Sequence, residues 1–301
     1  MTVERLAVLG SPIAHSRSPL IHRAAYAELG LDWHYGRVRC GESALAAFLA
    51  GRDASWRGLS LTMPLKDEAR RLAASLDPVA AESGVVNTLR RRDDGAWDGF
   101  NTDVGGLAAA IGAAGFSAER TLVLGSGATA ISALLAARSL GATTITIAAR
   151  NAHASRAIVD RFGEGREPGS GIAPEVRSVG LAELTNGRAD AGASAAHGAG
   201  GGAPTLVIST LPGPAARDVA LPESLMAVPL FDVAYDPWPS PLATRWSAAG
   251  GSASSGLGML VEQAILQIRI FLSGSGDVPL PSEDRVREAV DRAIAASGVG
   301  G

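Results

Sequence analysis

The chain of 301 residues carries 27 cationic Lys and Arg side chains, of which 26 are arginine and one, Lys66, is lysine. Arginine stays protonated in proteins, whereas a lysine amine on a slim stem can release and recover a proton. A position that keeps lysine against so strong a bias is a candidate for proton transfer. Other polar side chains recur in comparable places. Ser16 and Ser18 follow the apolar run 6–10, Thr62 and Lys66 follow the run 58–61, Asn87 lies in Val86-Asn87-Thr88, and Asp103 closes Asn101-Thr102-Asp103. Hydroxyls, an amide, one amine and one carboxylate together suit a small, hydroxylated, anionic ligand. Plainer roles compete. Ser16 and Ser18 fit turn and helix-capping chemistry, with Ser18 as N-cap, and Asp103 fits an N-cap for a helix over 104–114. Asn87 in an apolar strand over 85–90 resists such a reading, because a buried amide needs partners.

A second group of residues has a different chemistry. The strand-like run 120–124 leads into Gly125-Ser126-Gly127-Ala128-Thr129-Ala130 and then a long Ala/Leu helix to Leu140. In a strand–turn–helix setting this G-x-G-x-x-A pattern predicts a dinucleotide site, where the backbone approaches a pyrophosphate held on the helix N-terminus. The next strand, 144–149, ends in Ala149-Arg150-Asn151 without the acid that usually binds a ribose 2′-hydroxyl. Arg150 instead offers a planar fork for a 2′-phosphate, with Asn151 beside it, so NADP is favoured over NAD. Arg156, in the following helix, is a second candidate contact. Thr210 follows a buried strand at 205–209 and turns the chain where a nicotinamide ribose would lie. Val233 ends a last strand over 230–233, just before Tyr235.

The elements that position these residues alternate. Strands are expected at 6–10, 33–38, 58–61, 85–90 and 96–100, and helices at 20–29, 43–50 and 66–74, with Asp93-Asp94-Gly95 as a hairpin turn. Pro19 suits the first turn of the first helix and Gly30 its C-terminal end. Strand–helix alternation predicts a mainly parallel sheet, with ligands outside the carboxyl ends of its strands. The Gly/Ala/Ser-rich stretches 163–174 and 186–204 read as flexible surface loops, and 252–258 as small and flexible. Helices at 259–272 and 282–295 come after the dinucleotide unit is complete, so the chain is expected to return to the first domain. Glu262 and Gln263 fall in the second turn of the former. Glu283 and Asp284 in the first turn of the latter suit its dipole.

Composition narrows the partners. A net charge of -3 gives no electrostatic reason to expect nucleic acid or an anionic membrane. Cys40 is the only cysteine, which rules out an intrachain disulfide. The five histidines form no H-E-x-x-H pair, so no metal is expected. No apolar run approaches the ~18 residues of a membrane span, and the N-terminus lacks a charged leader with an apolar core. The expected compartment is the cytoplasm.

These motifs, in this order, resemble the shikimate dehydrogenase family. The resemblance rests on 11–19, 61–66, 86–88, 101–103, 125–130, 232–235 and Gly256-Leu257-Gly258-Met259-Leu260-Val261-Glu262-Gln263-Ala264. It implies NADPH-dependent reduction of 3-dehydroshikimate to shikimate, in aromatic amino-acid biosynthesis. It also implies two α/β domains flanking a cleft: a mainly parallel-sheet substrate domain, 1–103 with 256–301, able to form a homodimer, and a Rossmann NADP-binding domain, 104–255. Carried over, Ser16, Ser18 and Tyr235 hold the substrate carboxylate. Thr62, Asn87, Asp103 and Gln263 bind ring hydroxyls, and Lys66 with Asp103 is the catalytic pair. Gly125 to Ala130, Arg150, Asn151, Thr210, Val233 and Gly256 line the cofactor. The chain departs from the family pattern at Ser255, where Asp is common, and at Arg156, six residues beyond Arg150 rather than four. Two rivals remain open on sequence alone: an NAD-dependent quinate/shikimate dehydrogenase, and a non-catalytic NADP-sensing module.

Overall fold

The computed structural model describes residues 3–163, 173–185 and 202–298. Most of the two Gly/Ala/Ser-rich stretches expected to be loops, at 164–172 and 186–201, lies outside the described residues. The chain divides into two compact units, residues 1–106 with 260–301, and residues 107–259.

The first unit is built on six strands: β1 (Glu4–Gly10), β2 (Trp33–Arg39), β3 (Trp56–Leu61), β4 (Ser75–Leu76), β5 (Thr88–Arg91) and β6 (Trp97–Phe100). They form one sheet in the order β2-β1-β3-β5-β6-β4. Strand β1 pairs in parallel with β2 and β3, and β4 with β6, while β5 runs antiparallel to β3 and β6. The helices are α1 (Ser18–Glu28), α2 (Leu45–Ala50), α3 (Lys66–Leu72) and α4 (Pro78–Ser83), together with the start of α5 (Asp103–Ala113), most of α11 (Leu257–Ser273) and all of α12 (Glu283–Ala296). Leu9, Leu45, Leu59, Leu65, Val86 and Leu89 are fully buried between sheet and helices. Helix α11 can lie close to β3 because Gly58 has no side chain: a Cβ there would come within 2.3 Å of the Phe271 ring.

Several sequence expectations shift here. Asn87 precedes β5 rather than lying inside a strand, although its carbonyl still accepts the Leu61 N–H at 2.7 Å and its N–H reaches Phe100 O at 3.0 Å. The short β4 and α4 have no counterpart in the sequence reading. Both are only a few residues long, below what periodicity resolves. Residues 42–44 form a 3-10 turn before α2. Gly30 sits past the end of α1 at φ +66°, the left-handed geometry expected of it.

The second unit has the strands β7 (Arg120–Leu124), β8 (Thr144–Ala149), β9 (Glu175–Gly180), β10 (Leu206–Ser209), β11 (Leu230–Asp232) and β12 (Ala253–Ser255). They make a six-stranded sheet, all parallel, in the order β12-β11-β10-β7-β8-β9. Counted within the unit this is the 3-2-1-4-5-6 order of a doubly wound dinucleotide fold, with its reversal between β7 and β10. The helices are α6 (Ala128–Ser139), α7 (Ala152–Phe162), α8 (Leu181–Thr185), α9 (Gly213–Asp218) and α10 (Pro241–Ala248). Residues 253–255, expected to be flexible, instead add the sixth strand to β11, and their small side chains suit a sheet edge. Leu122, Leu124, Val207, Leu230, Leu242 and Trp246 anchor this core.

One core group in the first unit titrates. His22, on α1, is fully buried, stacks on Tyr35 with ring centroids 3.9 Å apart, and burial lowers its pKa to about 3. It is therefore neutral in the native state. The unfolded chain binds a proton at His22 below about pH 6.5 that the native chain refuses until about pH 3. Stability contributed by this group is thus present above pH 6.5 and is lost as pH falls from there toward 3, by at most about 1.4 kcal/mol per pH unit. A His22→Phe variant, which keeps a ring on Tyr35, should show a shallower fall of Tm between pH 6.5 and 4 than the parent chain. Equal slopes in thermal melts would exclude His22 as the source.

Candidate active site

The loop after β3 turns at Pro64 and delivers Lys66 as the first residue of α3. Its ammonium Nζ lies 2.5 Å from Asp103 Oδ2, with side-chain exposures of only 13% and 7%. Little water screens this pair, so it is stronger than a surface salt bridge. Asp103 is the first residue of α5, not its cap. Asn101 takes that task, with its Oδ1 accepting the N–H groups of Asp103 at 2.9 Å and Val104 at 3.4 Å. The Asp103 carboxylate is thereby free to bind Lys66 through one oxygen and Asn87 through the other.

Asn87 is 1% exposed and every polar atom of its side chain is engaged. Its Nδ2 lies 2.8 Å from Asp103 Oδ1, 2.9 Å from Thr102 Oγ1 and 3.2 Å from Gln263 Oε1, so its two hydrogens are shared among three acceptors. Its Oδ1 accepts from the Thr102 N–H at 2.9 Å and the Thr88 hydroxyl at 2.9 Å. Lys66, Asn87, Asp103 and Gln263 thus form one cluster drawn from four separate stretches of chain. Gly106 permits the approach of α5 to α11, since a Cβ there would fall 2.7 Å from the Gln263 backbone nitrogen.

The other residues expected on the substrate side are placed as follows. Ser18 is buried and begins α1. The residue before it, Arg17, occupies the cap position without a side-chain capping bond, so the expected Ser18 cap is not formed. Ser16 Oγ donates to Ser18 Oγ at 3.3 Å and accepts the Ser18 N–H at 3.4 Å. The fork of Arg37 holds the Ser16 carbonyl at 2.9 and 2.7 Å. Half-buried Thr62 follows β3, and its N–H donates to Leu9 O at 2.9 Å. Tyr235 belongs to the second unit, half-buried in the loop after β11. That loop is closed at its base by Asp232, which accepts from the Ser240 hydroxyl at 2.6 Å and the Ala234 N–H at 3.2 Å. Burial pushes the Asp232 carboxyl above its ordinary range, against the lowering pull of those bonds.

In the second unit, β7 ends at Gly125, whose φ of +122° suits glycine alone. A Cβ there would also meet Thr210 Oγ1 at 2.3 Å. Thr210 donates that hydroxyl to Leu124 O at 2.9 Å, tying β10 to β7 at the reversal of strand order. Residues 125–127 then lead into α6, whose N-terminus at Ala128 gives Ser126, Thr129 and Ala130 their places around the first turn. Arg150 follows β8 and is exposed, as is Arg156. Asn151 caps α7 by accepting the Ala154 N–H at 3.1 Å, so its side chain has a structural duty. Gly256 packs on the backbone beyond β11, where a Cβ would meet Val233 O at 2.1 Å.

A cavity of about 570 Å³ opens beside Arg150, lined also by Leu181, Pro212, Ala215, Asp218 and Val219. Arg150, Leu181 and Pro212 lie just beyond β8, β9 and β10, at the carboxyl ends where such sheets bind ligands, and Ala215, Asp218 and Val219 come from α9 and the residue after it. The cavity's mainly apolar lining and the Arg150 guanidinium suit an adenosine phosphate, and the turn before α6 is open at Gly127, where a Cβ would meet nothing within 4 Å. Among the described residues no group of His, Cys, Asp and Glu is placed to hold a metal ion. No described helix is long and apolar enough to cross a membrane.

The shikimate dehydrogenase substrate binding domain matches residues 8–89. A shikimate dehydrogenase (NADP(+)) of Anaeromyxobacter dehalogenans is 35% identical over 282 residues, 93% of each chain. The chain belongs to the shikimate dehydrogenase family. The crystal structure of the Mycobacterium tuberculosis shikimate dehydrogenase is 37% identical, covers 97% of this chain and 99% of its own, and superposes with a TM-score of 0.77. The family member from Thermus thermophilus, solved in complex with NADP(H) and shikimate, is 28% identical with a TM-score of 0.76, over 97% of this chain and 100% of its own.

Sequence reading missed a second layer of the site. Thr102 and Asn101 fix Asn87 and Asp103, and Gln267, Ser60, His22 and Tyr35 form a buried polar chain beneath Gln263. The one available signal was a run of polar residues at positions where a buried strand or helix face should be apolar.

Proposed function

We propose that the chain catalyses the reversible, NADPH-dependent reduction of 3-dehydroshikimate to shikimate. The observation that carries this reading is the buried Lys66–Asp103 pair, 2.5 Å apart, joined through Asn87 to Gln263. The cofactor, when bound, supplies a hydride to a ring carbonyl carbon. That addition places negative charge on the carbonyl oxygen, and Lys66 as ammonium donates the proton that oxygen needs. In the reverse direction Lys66 as amine takes the proton from the hydroxyl. Asp103 holds the amine in place and shares the substrate's polar edge. Asn87, Thr62 and Gln263 bind ring hydroxyls, while Ser16, Ser18 and Tyr235 receive the carboxylate. Arg150, Thr210, Gly256 and the turn 125–130 hold NADP, and Val233 packs beside it. Family membership supports each of these assignments, and also a cytoplasmic enzyme that pairs as a homodimer, which sedimentation would check.

The test is the spectrophotometric oxidation of shikimate and of quinate with NADP⁺ and with NAD⁺. The expected result is a kcat/KM highest for shikimate with NADP⁺. Preference for quinate or NAD⁺ would replace this reading with the broader dehydrogenase. Cofactor binding without oxidation would replace it with a sensor.

A further inference from the structure

Beneath Gln263 lies a chain of hydrogen bonds whose donors and acceptors can be followed from end to end. Tyr26 and Tyr35 are phenols that burial holds protonated, so each has one proton to donate, and Tyr35 also bonds Ser18. Tyr26 Oη lies 3.0 Å from His22 Nδ1. A neutral imidazole has one N–H, so with Nδ1 accepting, Nε2 carries the proton and donates to Gln267 Oε1 at 3.3 Å. Tyr35 Oη donates to Ser60 Oγ at 2.6 Å, which leaves the Ser60 hydroxyl to donate to the same Gln267 Oε1 at 2.6 Å. Two donors on one side fix which end of the Gln267 amide is oxygen. Its Nε2 is thereby turned toward Gln263 and donates to Gln263 Oε1 at 3.2 Å. Asn87 Nδ2 donates to that oxygen from the other side, also at 3.2 Å, and Asn87 cannot flip because its own Oδ1 accepts the Thr102 backbone N–H.

We propose that Gln267 is a positioning residue that locks the Gln263 amide with its oxygen inward and its Nε2 as the ligand-facing end, so that this subsite is a hydrogen-bond donor and selects a substrate oxygen that accepts. The inference rests on the proposed dehydrogenase reaction for its kinetic meaning. Gln267 is 1% exposed, as befits a residue that acts only through its neighbour. Ser60, 3% exposed, serves the same end one bond further away.

The test is Gln267→Met, which keeps length and burial but neither donates nor accepts strongly. KM for shikimate should rise about fivefold, the size of one lost hydrogen bond of about 1 kcal/mol. KM for NADP⁺ should stay unchanged. In a Gln263→Ala background the same substitution should add nothing to KM for shikimate, because the residue it positions is gone. An unchanged KM in the single variant, a rise in both KM values, or the same rise in the Gln263→Ala background would overturn the proposal. A second readout needs no turnover: the side-chain NH₂ signals of Gln263, identified by their loss in Gln263→Ala, should shift and broaden in Gln267→Met. Sharp, unshifted signals would overturn the positioning role. Absence of shikimate oxidation by the parent chain would instead overturn the reaction and leave this readout standing.

Discussion

Lys66→Arg should fold, keep its bond to Asp103 and lose about 10²–10⁴-fold in kcat for shikimate oxidation, the range for one acid–base group. The substitution retains the positive charge, so the buried carboxylate of Asp103 keeps a counter-ion and the Tm should change little. What disappears is the removable proton, because a guanidinium does not deprotonate in proteins. The experiment therefore separates charge from proton transfer at one site. A kcat near that of the parent chain would remove Lys66 from the acid–base role. A large fall in Tm would show that the loss arises from packing, since the guanidinium is broader and the site is nearly closed at 13% exposure. Steady-state kinetics and a thermal melt on the same preparation are sufficient.

Arg150→Ala should lower kcat/KM for NADP⁺ by about 10- to 100-fold, from the loss of hydrogen bonds to a charged phosphate worth about 1.5–3 kcal/mol. The same variant should use NAD⁺ about as well as the parent chain does, because NAD⁺ offers a hydroxyl where NADP⁺ carries the phosphate. Arg150 is exposed, so its removal should alter stability by no more than about 0.5 kcal/mol. The contrast between cofactors is the decisive quantity. A parallel loss with both would mean that Arg150 shapes the neighbouring cavity rather than reading the 2′ position.

Much of this was legible in the amino-acid order, and the reasons are local. Gly125 stood in a G-x-G-x-x-A pattern and takes φ of +122°, and the apolar runs 120–124 and 144–149 beside it read as strands, which do pair in parallel. Lys66 stood out by composition, and the cluster with Asn87, Asp103 and Gln263 does form. What escaped depends on contacts between distant stretches. Ser18 and Asp103 both looked like helix caps, and the spacing was right for that. The choice was made elsewhere, by Ser16 and Asn101, which bond the backbone or hydroxyls that a cap would have used. Gln267 gave only the faint sign of a polar residue where a buried helix face should be apolar. Its role arises because Ser60 lies 207 positions away on β3 and points at the same place. The strand at 253–255 was hidden for another reason: its residues are small and polar, and its pairing is specified by the exposed edge of β11, not by its own side chains.

The division of the chain into 107–259 and a unit made from both 1–106 and 260–301 also fixes an order of events during synthesis. The dinucleotide unit is contiguous, so its last strand is made before the segment that carries Gln263 and Gln267. The first unit must wait with its sheet open on the side that Phe271 will cover at Gly58. Domains fold as units during translation, at about 5–20 residues per second. The nascent protein therefore passes through a stage in which one half is finished and the other is incomplete. Emergence of the later segment, rather than the first hundred residues, completes the cluster around Lys66. A chain stalled with residue 259 just clear of the ribosome should resist protease over its dinucleotide half and be cut readily within its first hundred residues.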